Sequence, residues 1–135
     1  MNVEIKDKTT NVTEKKIQRD IISFLRKHSF SVDILTISSY GRKGMADIVG
    51  CAPDGRFIAI EVKRPGGKLT VMQENWLAEK QHHGGVVFVA YNVDDVKSVL
   101  TSSGYSLEDN TNTNWVITKE APEGAPFSPA FSIAK

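Results

Sequence analysis

The sequence predicts an α/β domain in which a central mixed β-sheet is flanked by helices. Three observations carry this prediction. An amphipathic helical stretch comes first, two apolar strands joined by a tight turn lie in the middle, and a strand, helix, strand succession follows, which within one sheet calls for a parallel crossover. The chain has 135 residues, 40% hydrophobic and 24% charged, which suits a single domain over 1–135, its core at about 12–118 and an irregular tail at 119–135.

Charge and cysteine usage narrow the classes. A formal net charge of +1 excludes a globally basic nucleic-acid protein, so any polyanion site must come from local clusters of Lys and Arg. Cys51 is the single cysteine and cannot close an internal disulfide, and the start MNVEIKDKTTNVTEKK is too polar for a signal peptide. No apolar run approaches membrane-spanning length. A soluble protein in a reducing, cytoplasmic setting with no membrane partner is the expectation.

Taking the elements in order, Asn11 and Glu14 have capping-box spacing, and Ile17, Ile21, Phe24 and Leu25 then repeat at helical period, so a helix is predicted over Val12–Lys27. Its apolar stripe, traced back, places Glu14 at the inward edge of the first turn. A carboxylate there is also what the helix dipole favours, so a functional and a purely local role stand level. Ser31–Ser39 is rich in Val, Ile and Thr and reads as a strand, with a change of phase between Ile34 and Leu35 that marks a bulge or burial on both faces. Tyr40-Gly41-Arg42-Lys43-Gly44 is a basic turn, suited to phosphate contact and equally common as a solvated loop.

The central hairpin can be built residue by residue. Pro53-Asp54-Gly55 suits a three-residue loop, with Pro fixing the first φ and Gly accepting the left-handed position, so Ala52 faces Arg56. Counting outward pairs Cys51 with Phe57, Gly50 with Ile58, Val49 with Ala59, Ile48 with Ile60, and therefore Asp47 with Glu61. Lys63 shares their face because strand side chains alternate, as do Val49, Cys51, Phe57 and Ala59; Ile48, Ile58, Ile60 and Val62 take the other face. Two opposed carboxylates about 5 Å apart repel. Such a pair is tolerated when a cation sits between them or one carboxyl is protonated, which points to a divalent-metal or acid/base site.

Beyond Lys63, Arg64-Pro65-Gly66-Gly67-Lys68 is a breaker loop with two further cations. Thr70 and Gln73 form a capping box, and Met72, Trp76 and Leu77 give the apolar face of a helix that ends near Gly84. Gly85–Tyr91 is a continuous run of β-formers, expected to be covered on both faces and parallel to Phe57–Val62. Asn92 and Asp95 open a short helix that Gly104 closes. Trp115-Val116-Ile117 suggests an edge strand, and three prolines after Glu120 an irregular tail. Cys51 reads as core, Trp76 as the buried face of its helix, and His82-His83 as complements to a helix C-terminus rather than metal ligands.

On its own Glu61-Val62-Lys63 is a weak signal, since a Glu and a Lys two apart on a strand usually form a solvent-side ion pair. The context is more specific: an apolar strand, an opposed Asp, a basic Gly-rich loop and an amide-bearing cap. Carboxylates can hold Mg²⁺ or Mn²⁺ with a phosphate oxygen and waters, and a neighbouring lysine can orient the attacking water. Together these residues resemble the PD-(D/E)XK nuclease superfamily, and within it the VRR-NUC (virus-type replication-repair nuclease) domain. The resemblance runs from about Glu14 to Leu100, marked by Gly44-x-x-Asp47, Glu61-x-Lys63 and Lys68-Leu69-Thr70-x-x-Gln73, with Ala46 where the family often has proline.

The resemblance implies a restriction-endonuclease-like core and a DNA endonuclease using Mg²⁺ or Mn²⁺. It implies Asp47 and Glu61 as metal ligands with the Val62 backbone carbonyl, Lys63 as the residue that positions water, Glu14 acting on a metal through water, and Gln73 orienting the site. It also suggests 5′-phosphate and 3′-hydroxyl products, a homodimer, and branched or four-way-junction DNA besides duplex. Arg42, Lys43, Arg64 and Lys68 are candidates for DNA-backbone contacts, being basic and near the site in sequence. A catalytically silent DNA- or partner-binding module, or a purely structural ion-pair cluster, are the competing readings of the same residues.

Overall fold

The structure is a computed structural model in which residues 13–35 and 43–107 are described. Helix α1 (Glu14–Lys27) is followed by strands β1 (Ser31–Ile34), β2 (Ile48–Cys51) and β3 (Phe57–Val62), helix α2 (Val71–His82), strand β4 (Val86–Ala90) and helix α3 (Val93–Ser102). The strands form one sheet in the order β1-β2-β3-β4. β1 and β2, and β2 and β3, pair antiparallel; β3 and β4 run parallel, as a strand, helix, strand unit requires. This mixed sheet with helices on both faces is the restriction-endonuclease-like α/β core.

The hairpin register matches the one derived from its turn. Cys51 pairs with Phe57, Gly50 with Ile58, Val49 with Ala59 and Ile48 with Ile60. Ala52 N–H donates to the Arg56 carbonyl at 2.8 Å, Gly55 N–H donates to the Ala52 carbonyl at 2.9 Å, and Gly55 sits at φ 89°. Pro-Asp-Gly therefore sets the phase of both arms and hence which side chains share a face.

The alternation separates two cores. On one face Ile48, Ile58, Ile60 and Val62 are fully buried under α1 and α3, together with Ile21, Leu25, Val96 and Leu100. Burial of each such side chain stabilises the fold by about 2 kcal/mol. On the other face Ala46 and Ala59 lie with Trp76 and Leu77 of α2, joined by Val49, Val87 and Val89. Trp76 is core as expected and meets Phe57 edge to face, with ring centroids 6.2 Å apart.

Several local expectations need correction. The N-cap of α1 is Thr13, whose hydroxyl accepts from Lys16 N–H at 3.1 Å, so the helix begins at Glu14 rather than Val12. Of the expected first strand the structure describes Ser31–Ile34; Leu35 N–H still bonds the Asp47 carbonyl at 2.7 Å, and 36–39 lie outside the described residues. In β4 only Val86 and Ala90 are buried, because it borders β3 alone among the described strands. Cys51 is exposed at the turn end of β2 rather than core. Met72 is 54% exposed, since α2 begins at the sheet's rim and reaches the core only from Trp76 onward. The expected edge strand Trp115–Ile117 and the tail lie outside the described residues.

Candidate active site

Asp47, Glu61, Lys63 and Gln73 converge where β2 enters the sheet, β3 leaves it and α2 begins. The hairpin ladder stops at the Ile48–Ile60 pair, one step short of Asp47 opposite Glu61. At that step Asp47 Oδ2 accepts the Val62 backbone N–H at 2.8 Å. The carboxylate thus takes the place of a ladder carbonyl and is fixed against β3. In an extended chain the N–H and C=O of one residue point to the same edge, so the Val62 carbonyl is directed to the Asp47 side.

Glu61 is the buried charged residue among those described, at 2% exposure. Its Oε2 accepts from Gln73 Nε2 at 3.0 Å and lies 3.5 Å from Lys63 Nζ. Its Oε1 is buried with no hydrogen-bond partner. Burial, then the Asp47 charge, pushes the Glu61 carboxyl up from 4.5 to about 7, against the opposing pull of Lys63. A buried carboxylate oxygen without a partner costs on the order of 1–3 kcal/mol, so the arrangement is poor as a purely structural ion pair.

The capping box explains why Gln73 reaches Glu61 at all. Thr70 N–H donates to Gln73 Oε1 at 2.9 Å, and Gln73 N–H donates to the Thr70 hydroxyl at 3.2 Å. With the amide oxygen committed to the cap, the NH₂ end is left to face Glu61. Gly44, at φ 87°, brings the chain before Asp47 against the same turn: a Cβ there would stand 2.5 Å from the Met72 carbonyl oxygen. Neither the closeness of Gly44 to α2 nor the part played by the Thr70 backbone follows from spacing alone; the signal available was a glycine three residues before an acid.

Glu14 is placed at the start of α1 beside the loop that follows Lys63. With Thr13, Arg64, Pro65, Gly66 and Gly67 it lines a cavity of about 500 Å³. It makes no hydrogen bond or ion pair to Asp47 or Glu61 among the described residues, and these hold no cluster of three or more His, Cys, Asp or Glu suited to a metal. The loop is a tight turn, with Gly67 N–H donating to the Arg64 carbonyl at 2.8 Å and Gly66 at φ 84°. Tyr91 braces it by donating its hydroxyl to the Gly67 carbonyl at 3.2 Å. Lys43, Arg64 and Lys68 are exposed around this rim, whereas Arg42 lies outside the described residues.

The residues present fit a hard divalent cation. The carboxylates of Asp47 and Glu61 offer oxygens, the Glu61 Oε1 lacks a partner, and the Asp47 carboxylate is fixed on the Val62 N–H. The site thus consists of an acid pair and a lysine at the end of the hairpin of a mixed α/β sheet. The family model of the VRR-NUC domain matches residues 37–94, a stretch that contains Asp47, Glu61, Lys63 and Gln73. Residues 37–94 are thus similar to the VRR-NUC domain, in keeping with the resemblance carried by Asp47, Glu61 and Lys63. No curated protein matches the chain. Among the described residues no helix is long and apolar enough to cross a membrane.

Proposed function

We propose that the protein is a metal-dependent DNA endonuclease whose Asp47, Glu61 and Val62 carbonyl hold Mg²⁺ or Mn²⁺. The single observation that carries this reading is the buried Glu61 carboxylate, one oxygen oriented by Gln73 and Lys63 and the other without a partner. A divalent cation held there supplies charge for the phosphate oxygens and acidifies its bound water. Lys63, only 14% exposed and 3.5 Å from Glu61, holds its ammonium group where it can orient that water and offset charge developing on the phosphate. Gln73 keeps the Glu61 carboxylate from rotating. Glu14, on the adjoining cavity wall, would act on such a metal through water, while Lys43, Arg64 and Lys68, with Arg42, would contact the DNA backbone.

Linear duplex, flap and four-way-junction DNA incubated with Mg²⁺ or Mn²⁺ tests this reading. Wild-type protein should cut at least one of them, EDTA should stop the reaction, and Lys63→Ala should slow it about 10²–10⁴-fold while DNA binding persists. Folded wild-type protein that binds DNA but cuts nothing would replace the enzyme by a binding module. A second strand or branch is most simply cut by a symmetric homodimer, which sedimentation of the same sample would reveal.

A further inference from the structure

The rim of the acid pair carries large apolar side chains where neither solvent nor helix chemistry favours them. Val71 and Met72, the first two residues of α2, are 71% and 54% exposed. Solvent favours polar groups there, and the helix dipole favours acidic ones. Tyr91, at 37%, is exposed on the far side of the Lys63 loop, with its hydroxyl on Gly67. Five large hydrophobic residues are exposed among those described, and these three stand around one site; Phe57 lies at the other end of β3. Local rules are most often broken where a sequence serves binding.

The position of the pair is tied to the acids by covalent and packing links. Met72 precedes Gln73, which bonds Glu61, and its carbonyl rests against Gly44, three residues before Asp47. Lys43 and Lys68, both exposed, adjoin Gly44 and the helix start. An apolar surface set among cations suits nucleic acid better than an apolar protein face, because the cations take phosphates while the side chains take the face of a base. In an intact duplex those faces are hidden by stacking, so an apolar contact gains most from a base turned out of the stack.

We propose that Val71 and Met72 form an apolar contact for a nucleobase turned out of the stack beside the bond to be cut, with Lys43 and Lys68 holding neighbouring phosphates. This rests on the nuclease reading of Asp47, Glu61 and Lys63, and it adds a determinant of where that site cuts. The test compares wild type with the double variant Val71→Ser, Met72→Gln, both positions being exposed. Cleavage is measured on a duplex with one unpaired nucleotide and on the fully paired duplex, and the ratio of rates should fall about tenfold in the variant. In parallel, an oligonucleotide with 2-aminopurine at the unpaired position is titrated with Lys63→Ala protein. Its fluorescence should change on binding, and the change should vanish when the double variant is added to that background. An unchanged ratio with unchanged fluorescence overturns the proposal. So does a variant that sediments as a smaller species with its ratio intact, which assigns the pair to a second copy of the chain. Wild type that cuts no DNA sinks the nuclease reading instead, and the fluorescence titration then decides the base contact alone.

Discussion

Glu61 is held in an environment that opposes its charge, and the sign of that opposition can be measured. Its carboxyl lies at about 7 in the folded protein against 4.5 in the unfolded chain, with burial and Asp47 as the causes. A group whose pKa is raised on folding contributes stability fully below pH 4.5 and loses it as pH rises through about 7. Metal-free wild type should therefore lose melting temperature across that window, while Glu61→Gln, which cannot ionise, should lose less. Above pH 7 in EDTA the variant should melt no lower than wild type, and a structural ion-pair role predicts the reverse. Lys63 works in the opposite direction on the same carboxylate. Removing it should slow cleavage without unfolding the chain, since two hydrophobic clusters hold the sheet to its helices; a loss of helical circular dichroism in Lys63→Ala would contradict this.

Elements succeed here by fixing one another's ends. The first turn of α2 docks on Gly44 and presents Gln73 to Glu61, so the helix start braces both acids. Gly44→Ala places a methyl against a backbone carbonyl at a strained φ, and cleavage should fall by about 10²-fold in protein that remains folded. Retained activity would show that Asp47 does not depend on this contact. Helix C-termini offer a stability test of another kind. Residues Phe30, Gly85 and Tyr105 each donate an N–H back to the helix they follow, and the residue before each has a positive φ. In α2 and α3 that residue is Gly84 or Gly104; after α1 it is Ser29 at φ 72°. Ser29→Gly should stabilise the protein by about 0.5–1 kcal/mol in urea unfolding, and a fall in stability would rule the strain out.

How much of this was legible follows from which forces are local. The hairpin register came entirely from Pro53-Asp54-Gly55, because a tight turn admits few pairings, and the Thr70–Gln73 capping box was readable for the same reason. The side-chain substitution of Asp47 into the ladder was not readable, since it depends on where the strand departs from regular pairing. The exposure of Met72 and Cys51 does not follow from periodicity, which reports which face a residue shares but not how fully that face is covered. At α1 the capping spacing of Asn11 and Glu14 did not point to Thr13, whose hydroxyl makes the bond; Asn11 lies outside the described residues.

At the scale of the whole molecule, the electrostatics are local rather than global. A net charge of +1 leaves little long-range pull on DNA, so under the proposed function attraction comes from local cations, and Lys43, Arg64 and Lys68 are the exposed ones at the rim. Removing one cation that neutralises a phosphate should flatten the dependence of log affinity on log salt by about 0.9, and replacing all three with Ala should abolish most of the slope. A slope unchanged in that variant would move the DNA surface elsewhere. The sheet is buried by helices on both faces, and its open end gathers two acids, one lysine and the basic loop. Such a scaffold keeps a repulsive pair together because two cores, and not the pair itself, hold β2 against β3. The most direct measurement is therefore Mn²⁺ binding at pH 8, followed by calorimetry in wild type and Glu61→Gln. Saturable binding by wild type that disappears in the variant is the predicted result, whereas equal binding by both would contradict a cation site built on Asp47 and Glu61.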